Sequence, residues 1–272
     1  MTPLSLEAAA RGFTGGPWWR RRTVQAVDGV DLAVESGEAL GVLGESGSGK
    51  TTLLRLAAFL LAPTAGRVLV GGVDPWAVTA AERRRLRRRV QLVFQLGGEP
   101  LDPRQRALAC VAEPLANFGV GRRERQRRAG EACEAVGLTA DLWGRYPAQL
   151  SGGQRQRIGL ARALALDPDV LLLDEPVSAL DPSSGARALA ALADIRRLRP
   201  VAMVLVSHDA AVLATMCDRI AVLHHGVIVE HGPTAQVLDR PTHPATQRLR
   251  AATLTIAPHA GLPQLHPLPP GV

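Results

Sequence analysis

The chain has 272 residues, 46% of them hydrophobic, and a formal net charge of +7. Its longest apolar stretches, such as 53–63, are far shorter than the roughly 20 residues that cross a bilayer, which excludes a membrane-spanning protein. The first residues show no basic leader followed by an apolar segment, so no secretory signal is expected.

Short aliphatic runs alternate with amphipathic segments, which predicts an α/β fold with a parallel central sheet and crossover helices. Uninterrupted aliphatic runs predict buried strands. Runs in which apolar and polar residues alternate predict an antiparallel sheet near the N-terminus and a hairpin with its turn at His225-Gly226. In chain order, the predicted strands are 23–34, 38–43, 66–72, 89–94, 169–174, 201–207 and 219–230.

The strand signal is absent between about 97 and 155, where the sequence is typical of helices. This predicts a helical subdomain inserted into a domain that covers residues 1–240. The last segment, 241–272, is rich in proline and poor in core residues, and a short, poorly ordered tail is expected there.

The positive charge is concentrated in two arginine-rich runs, 82–89 and 122–128. Both lie where helices are predicted, and almost no aromatic residues are interleaved with them. This composition favours solvated helix faces or loops, and an anionic partner surface is the alternative.

The three cysteines are Cys110, Cys133 and Cys217. They are odd in number and far apart, without the spacing of a metal or redox site. We therefore expect buried thiols in a reducing compartment.

A glycine-rich segment, GESGSGKT, follows the predicted strand 38–43 and precedes a helix-like stretch. It fits the pattern G-x-x-x-x-G-K-[ST] in the strand, loop and helix context that this pattern requires. Glycines allow the backbone to wrap around phosphate oxygens, and the helix N-terminus favours negative charge. We predict a nucleotide phosphate site formed by Gly44, Glu45, Ser46, Gly47, Ser48, Gly49, Lys50, Thr51 and Thr52.

Lys50 is the only lysine among 32 basic residues. Its ammonium is a compact charge that reaches the β- and γ-phosphates, whereas a guanidinium is wide and planar and fits poorly in a nest of backbone amides. The next residue, Thr51, offers a hydroxyl to Mg²⁺, which prefers hard oxygen ligands. A nucleotide bound together with Mg²⁺ is therefore predicted.

Two carboxylates stand where the aliphatic run 169–174 ends. Asp174 is the expected ligand of Mg²⁺ or of its water shell, and Glu175 is expected to orient and deprotonate the attacking water. A helix-capping pair is the alternative for this segment taken alone. Its combination with the phosphate loop favours the catalytic interpretation.

Two other polar residues follow predicted strands, at the edge where open α/β sheets bind ligands. His208 follows 201–207, where a ring N–H can bond a phosphate oxygen or the attacking water. Gln95 follows 89–94 and offers an amide oxygen to Mg²⁺ or water while it begins the helical segment. We therefore include His208 and Gln95 among the catalytic candidates, and Gln95 also among the metal ligands.

With these residues in this order, the chain resembles the ATP-binding cassette (ABC) ATPases over about 23–240. The six motifs that carry the resemblance are GESGSGKT, Gln95, LSGGQ, VLLLDEP, SALD at 178–181, and His208. The resemblance implies a P-loop NTPase core of the ABC type with a parallel central sheet, an N-terminal antiparallel β subdomain and an inserted helical subdomain. It also implies ATP as the nucleotide and ATP hydrolysis as the activity.

In this family two cassettes pack head to tail, and the LSGGQ signature of one chain caps the ATP of the other. The resemblance therefore implies ATP contacts for Ser151, Gly152, Gly153 and Gln154, and an interface position for Asp181. The residue types suit this role, because a serine hydroxyl and two glycines let a helix N-terminus approach a γ-phosphate. Whether the second ATPase subunit is the same or a homologous chain stays open.

A narrower resemblance is to the ATPases of oligopeptide, dipeptide and nickel importers. It rests on DEPVSALD, on EPLDPR with AEPL downstream, and on RPTHPATQRLRAA. It implies an energy-coupling subunit that binds membrane permeases in a groove lined from 96–118 and serves a solute-binding protein indirectly. The implied location is peripheral, at the cytoplasmic face of the inner membrane. The chain departs from the group in having QLGGEP after the strand and no cysteine cluster near its C-terminus.

An adenine base needs an aromatic platform. Trp19 is the candidate, with Trp18 and Phe13 as alternatives, and a surface role for the two tryptophans is also open.

Two other functions of ABC-type ATPases stay open at this point. One is a subunit of the carbon-phosphorus lyase system. The other is a DNA-associated ATPase, in which long coiled coils separate the nucleotide motifs. Only a short stretch without sustained heptads separates Gln95 from Ser151, so no nucleic-acid partner is expected.

Overall fold

A computed structural model describes residues 2–15, 22–94, 101–178 and 181–256 of the chain. Among them, no helix is long and apolar enough to cross a membrane. The strands are β1 (Leu4–Gly15), β2 (Arg22–Val34), β3 (Ala39–Leu43), β4 (Ala65–Val70), β5 (Val90–Val93), β6 (Val170–Asp174), β7 (Ala202–Ser207), β8 (Arg219–His224) and β9 (Val227–Pro233). The α-helices are α1 (Lys50–Ala57), α2 (Ala80–Arg89), α3 (Ala107–Asn117), α4 (Arg122–Ala135), α5 (Ala140–Trp143), α6 (Gly152–Leu164), α7 (Pro182–Leu198), α8 (Ala210–Met216), α9 (Thr234–Asp239) and α10 (Pro244–Ile256).

A six-stranded sheet forms the centre of the fold, in the order β5-β6-β7-β3-β8-β9. Its neighbouring strands are parallel except β8 and β9, which form an antiparallel hairpin. The four uninterrupted aliphatic runs, which predicted buried strands at 38–43, 89–94, 169–174 and 201–207, form β3, β5, β6 and β7 of this sheet. Strands covered on both faces are apolar throughout, which is why these runs were recognisable.

Alternate residues of β6 face the two layers that cover the central sheet. Leu171 and Leu173 are buried with residues of the helical region, α7 and α8. Val170 and Leu172 are buried with residues of α1 and of the second sheet. Successive strand residues point to opposite faces, so one aliphatic run contributes to both layers of the core.

The second sheet is antiparallel, in the order β2-β1-β4. The sequence predicted β2 and β4 but not β1, because its alanine-rich stretch has neither β-branched residues nor regular alternation. The strand is irregular at Ala8, whose φ is 43° and whose N–H donates to Asp31 Oδ1 over 2.8 Å. Pairing with β2 and β4 on both sides thus stabilises a strand that its own residues do not favour.

The described residues between β5 and β6 form helices and no strand. Helix α3 packs against α4 and α6, and Trp143 at the end of α5 lies against α4. A Cβ on Gly130 would lie 3.1 Å from the Trp143 ring, so the indole contacts helix backbone directly. The predicted insertion 97–155 thus contains α3, α4, α5 and the start of α6, which continues to residue 164.

Both arginine-rich runs lie in helices, α2 and α4, and three of their eleven arginines form ion pairs with carboxylates of the described residues. On α4, Arg127 and Arg128 contact Glu124. On α2, Arg89 forms an ion pair with Asp169. These contacts agree with the solvated helix faces expected from the sequence.

The prediction of a poorly ordered tail from residue 241 is wrong for Pro244–Ile256, which form α10. This helix packs against α8 and α9, and Ala245 is fully buried. The prolines were misleading, because Pro244 is the first helical residue, a position where proline costs no hydrogen bond. The remainder, 257–272, lies outside the described residues.

Candidate active site

The glycine-rich loop 44–49 connects β3 to α1, and close packing explains two of its glycines. A Cβ on Gly44 would lie 2.5 Å from the carbonyl oxygen of Leu223. A Cβ on Gly49 would lie 2.1 Å from the carbonyl oxygen of Ala26, and the φ of Gly49 is 109°. A side chain at either position would therefore displace the loop.

Lys50 begins α1, and its side chain lies inside the loop with 8% of the residue exposed. Its Nζ donates to the carbonyl oxygens of Gly44 over 2.6 Å and of Glu45 over 2.8 Å. Burial lowers the pKa of the Lys50 ammonium, and the nearby carboxylates of Glu175, Asp174 and Glu45 oppose this decrease. The ammonium charge thus lies inside the loop. Two of the three N–H donors of the ammonium can form these bonds, and the third is left for another acceptor.

Asp174 and Glu175 lie where β6 ends, as predicted. Thr51 Oγ1 donates to Asp174 Oδ2 over 3.1 Å, so the two expected metal ligands are neighbours. Burial raises the pKa of the Asp174 carboxyl, and the hydrogen bond from Thr51 opposes the increase. Glu175 has a φ of 50°, and its N–H donates to Val206 of β7 over 3.0 Å. The backbone turns sharply here and aims the second carboxylate at the neighbouring strand.

His208 follows β7 and contacts Glu175. Its Nδ1 lies 2.8 Å and 2.9 Å from the two carboxylate oxygens. The His208 side chain is 62% exposed and that of Glu175 12%, so the ring covers the carboxylate from the solvent side. This pair forms because β6 and β7 are adjacent parallel strands that end at the same edge.

These side chains surround one cleft of about 570 Å³ at the carboxyl edge of the parallel strands. Ala26 of β2 also lines it, and no motif in the sequence indicated that residue. The cleft is lined by Ala26, Ser46, Gly47, Gly49, Lys50, Thr51, Thr52, Asp174, Glu175 and His208.

The chemistry of the cleft fits a nucleotide phosphate with Mg²⁺. Ser46, Gly47, Gly49 and Thr52 of the loop and helix start line the same cleft, so the loop backbone borders the space that a phosphate would enter. Thr51 and Asp174 supply adjacent hard oxygens of the kind that Mg²⁺ prefers. Lys50 supplies the positive charge at the same place.

The turn of the β8-β9 hairpin supports the phosphate loop from outside. Gly226 N–H donates to the carbonyl oxygen of Ser48 over 2.9 Å, and its own carbonyl accepts from Asp28 N–H over 2.8 Å. The φ values of His225 and Gly226, 48° and 82°, are those of a two-residue hairpin turn, so the predicted turn is confirmed. Its contact with the loop was not predictable from the turn residues.

The LSGGQ motif lies at the start of α6 and forms a capping box. Ser151 Oγ accepts from Gln154 N–H over 3.2 Å, and Gln154 Oε1 accepts from Ser151 N–H over 2.9 Å. Ser151 and Gly152 are exposed, and Gly153 is half-buried. Among the described residues, those of this motif are not part of the lining of the Lys50 cleft. The helix N-terminus is therefore formed and lies outside the cleft of its own phosphate loop.

Asp181 caps the next helix, α7. Its carboxylate accepts from Ser184 N–H over 3.0 Å and from Ser183 Oγ over 2.7 Å. The hydrogen bonds from Ser184 and Ser183 lower the pKa of Asp181 below its usual value. Like the LSGGQ motif, Asp181 does not line the Lys50 cleft in the described part of the chain.

Three of the candidate site residues lie outside the described ranges. Gln95, a catalytic candidate and candidate metal ligand, is one of them. Trp18 and Trp19, the candidates for stacking on adenine, are the others. Their roles stay predictions.

Comparison with known proteins identifies the chain. A family model described as ABC transporter matches residues 27–178, more than half of its length. The chain belongs to this family. The ABC resemblance predicted from the six motifs is therefore confirmed.

Curated relatives within the family are named for peptide transport. A peptide ABC transporter ATP-binding protein of Sinorhizobium fredii is 45% identical over 92% of this chain and 72% of its own length. A peptide import ATP-binding protein of Brucella ovis is 42% identical over 95% of this chain and 81% of its own length. The oligopeptide transport protein OppD of Mycobacterium tuberculosis is 45% identical over 84% of this chain but only 37% of its own length. The chain thus spans little more than a third of OppD.

Solved structures support the fold and the activity. A dimer of the ATP-binding cassette MJ0796 bound to ADP and Pi matches with a TM-score of 0.75 at 30% identity, over 85% of this chain and 98% of that one. CbiO1 of Clostridium perfringens matches with a TM-score of 0.78 at 24% identity, over 88% of this chain and 91% of that one, and shows the fold. The predicted ABC-type P-loop fold is confirmed.

The chain is accordingly an ATP-hydrolysing, energy-coupling subunit of an ABC transporter. The alternatives of a carbon-phosphorus lyase subunit and of a DNA-associated ATPase are not favoured by the relatives found.

Proposed function

We propose that this ABC ATPase drives a peptide importer from the cytoplasmic face of the membrane. The support is that relatives named for peptide transport match most of the chain at 42% to 45% identity. Nickel, the other cargo suggested by the narrower resemblance, is not mentioned in the names of the relatives described above. Peptide is therefore the cargo class that we put forward.

The observation that supports the site assignment is the meeting of predicted residues from three segments in one cleft. Lys50 and Thr51 arrive from the phosphate loop, Asp174 and Glu175 from the end of β6, and His208 from the end of β7. Three separate segments thus place a cation, an acid pair and a histidine around a space that a triphosphate can enter. No structural requirement of the sheet demands this combination.

In the proposed mechanism the loop amides and Lys50 hold the phosphates, and Glu175 accepts a proton from the attacking water. His208 Nδ1 fixes the direction of the Glu175 carboxylate through its two contacts. Thr51 and Asp174, together with Gln95, are the residues that would hold Mg²⁺. When bound, Mg²⁺ neutralises the charge that develops on the phosphate oxygens.

The signature residues are assigned to the ATP of a second ATPase subunit, which is the same or a homologous chain. Ser151, Gly152, Gly153 and Gln154 form an exposed helix start that is separate from their own cleft. A helix N-terminus attracts anions, so this one would be completed by a phosphate presented from outside. Asp181 would lie in the same interface. The dimeric MJ0796 structures are consistent with this arrangement.

A groove on the helical region is the proposed docking surface for the permease. Its volume is about 410 Å³, and it is lined by Leu108, Ala109 and Ala112 of α3 and by Trp143. These α3 residues fall within the segment 96–118 that the narrower resemblance implied. The rim carries Arg106, Arg122 and Arg125, so the groove suits an amphipathic permease helix with acidic residues.

Phe13 is the proposed adenine platform among the described residues. It pairs with Val24 across β1 and β2, two positions from Ala26 in the cleft lining. The ring is 41% exposed, which is uncommon for phenylalanine, and the Arg11 guanidinium lies 5.1 Å from its centroid. Two strand residues span roughly 7 Å, so Phe13 lies beside the cleft rather than within its lining.

The substitution Glu175→Gln tests the catalytic assignment. Because an amide cannot accept the proton, we expect ATP hydrolysis to fall by about 10²- to 10⁴-fold while ATP binding persists. We also expect the variant to accumulate an ATP-bound dimer, detected by size-exclusion chromatography with Mg²⁺ and ATP.

Glu131→Gln is the matched control, because Glu131 is a surface carboxylate that pairs with Arg127 on α4. Its hydrolysis rate should stay within twofold of the parent. Undiminished turnover in Glu175→Gln would remove Glu175 as the base. Cells that lack the gene should lose uptake of a labelled oligopeptide, and loss of nickel uptake alone would refute the peptide assignment.

A further inference from the structure

The first turns of α6 and α7 touch at a glycine. A Cβ placed on Gly153 would lie 3.1 Å from Ser184 Oγ and 3.2 Å from Ser184 Cβ. A Cβ placed on the preceding residue, Gly152, would have no atom within 4 Å. The two signature glycines therefore meet different surroundings, and only Gly153 is pressed against another element of its own chain.

Ser184 is held so that it cannot move aside easily. Its N–H donates to the Asp181 carboxylate over 3.0 Å, and its Oγ accepts from Arg187 Nη2 over 3.2 Å. Arg187 Nη2 also donates to Ser183 Oγ over 3.3 Å, and that hydroxyl donates to Asp181 over 2.7 Å. Asp181, Ser183, Ser184 and Arg187 thus form a closed set of hydrogen bonds around the start of α7.

The start of α6, on the other side of the contact, is also held by hydrogen bonds. Arg157 Nη1 donates to the Gly137 carbonyl over 2.8 Å, and its Nε donates to the Gly153 carbonyl over 3.4 Å. Burial, and then the charge of Arg187, lower the pKa of Arg157. The starts of α6 and α7 are therefore each held by hydrogen bonds of their own, on the two sides of the Gly153 contact.

We propose that the Gly153 and Ser184 contact locks the starts of α6 and α7 into one rigid unit, with Ser184 and Arg187 as positioning residues. This inference rests on the proposed function, because the unit would present the signature motif and Asp181 together to the second subunit. A single movement of α6 would then also displace Asp181. The close approach at Gly153 is what transmits that movement.

Atoms in contact cannot give way independently when the packing is dense. A methyl group at Gly153 must push Ser184 by a few tenths of an ångström, and with it the hydrogen-bonded set that orients Asp181. The same methyl group at Gly152 meets open space. Of the two substitutions, only the one at Gly153 therefore makes a contact with α7.

A double-mutant cycle in the Glu175→Gln background tests the proposal, with ATP-dependent dimerisation followed by analytical ultracentrifugation. We expect Gly153→Ala to weaken dimerisation by about tenfold, a typical effect of overpacking. In the Ser184→Gly background the same substitution should have little further effect, because both clashing atoms are absent. In the Ser184→Ala background the loss should remain, because the Cβ of residue 184 is still in the way.

Gly152→Ala is the matched control for the cycle. Whatever its effect on dimerisation, we expect the same effect with Ser184 intact and in the Ser184→Gly background, since no contact links that site to α7. If Gly153→Ala weakens dimerisation equally in both backgrounds, or not at all, the proposal is overturned.

Hydrogen exchange of the nucleotide-free chain gives a second readout that does not depend on transport or dimerisation. The Gly185 amide donates to the Asp181 carbonyl over 2.9 Å and reports on the start of α7. Its exchange should be about fivefold faster in Gly153→Ala than in Gly152→Ala, and should return towards the parent rate with Ser184→Gly. Equal rates in the two alanine variants would refute the lock. Absence of any ATP-dependent dimer in the Glu175→Gln parent would instead refute pairing of this chain with a second copy of itself, and the exchange rates of Gly185 would then decide on the lock.

Discussion

The side chain of Lys50 bonds to the phosphate loop from which it extends. Its two bonds to the Gly44 and Glu45 carbonyls hold the loop open around a buried cation. An arriving phosphate replaces carbonyl acceptors with better, charged ones, so the ammonium changes partners without being newly buried. A guanidinium in this space would need more volume and has its donors in a fixed plane.

The substitution Lys50→Arg should therefore weaken ATP binding by at least about tenfold, although the charge is conserved. Isothermal titration calorimetry of the nucleotide would measure it. Arg55→Lys is the control, because Arg55 is exposed on the same helix. This substitution replaces arginine by lysine at a position outside the binding site. Full affinity in Lys50→Arg would show that the single lysine reflects composition rather than a steric requirement.

At this scale the motifs identified most of the cleft from sequence alone. Spacing and residue type were enough for the phosphate loop, Asp174, Glu175 and His208, because each follows a recognisable strand. Ala26 could not be found in this way, since it contributes only through the approach of β2 to Gly49. Which side chains bond each other, such as His208 with Glu175, also depends on strand order.

At the scale of elements, the antiparallel sheet provides part of the nucleotide site. Ala26 and the exposed pair Phe13 and Val24 lie on its first hairpin. The central sheet supplies the phosphate chemistry, and this hairpin would supply the apolar contact for the base. In this proposal the central sheet binds the phosphates of ATP and the hairpin contacts its base.

We expect Phe13→Ala to lower ATP affinity by about five- to tenfold, since stacking on an aromatic ring contributes about 1 kcal/mol. Phe13→Trp should retain the affinity, and Val24→Ala is the control at the neighbouring exposed position. The measurement is fluorescence titration with a labelled ATP. Unchanged ATP affinity in Phe13→Ala would exclude Phe13 as the adenine platform and leave Trp18 or Trp19 as the candidates.

The elements that the sequence did not predict share a physical cause. Strand β1 is formed by its neighbours, because its alanine-rich residues favour no strand and Ala8 has a left-handed backbone. Helix α10 has a proline at its start and a cap from His243, whose Nδ1 accepts from Ala245 N–H over 3.2 Å. In both cases tertiary contacts outweigh local propensity, which no single-sequence pattern reports.

At the scale of the molecule, the pKa values of the three thiols show how fully the core excludes water. Burial raises the pKa of Cys133 and of Cys217 to about 12, with small contributions from the adjacent Glu134 and Asp218. Burial also raises the pKa of Cys110. All three cysteines are free and buried, as predicted.

These shifts predict a loss of stability in alkali. The unfolded thiols ionise near pH 8.5, whereas the folded ones keep their protons to about pH 12. Since the native state then binds more protons, the free energy of unfolding falls as pH rises through this window. Between about pH 8 and 10 it should fall by roughly 3 to 4 kcal/mol more in the parent than in Cys133→Ala/Cys217→Ala. Denaturant titrations at both pH values measure this, and parallel losses in the two proteins would contradict the burial argument.

The position of β3 between β7 and β8 has a consequence for synthesis on the ribosome. The antiparallel sheet is complete once residue 70 has been made, because β1, β2 and β4 all lie before it. Strand β3, which carries the phosphate loop, has no hydrogen-bonded neighbour until β7 has been made. At about 5 to 20 residues per second, making residues 44–207 takes roughly 10 to 30 s. For that time a fully apolar strand has two unpaired edges, and we expect the nascent ATPase to be most prone to aggregation in this interval.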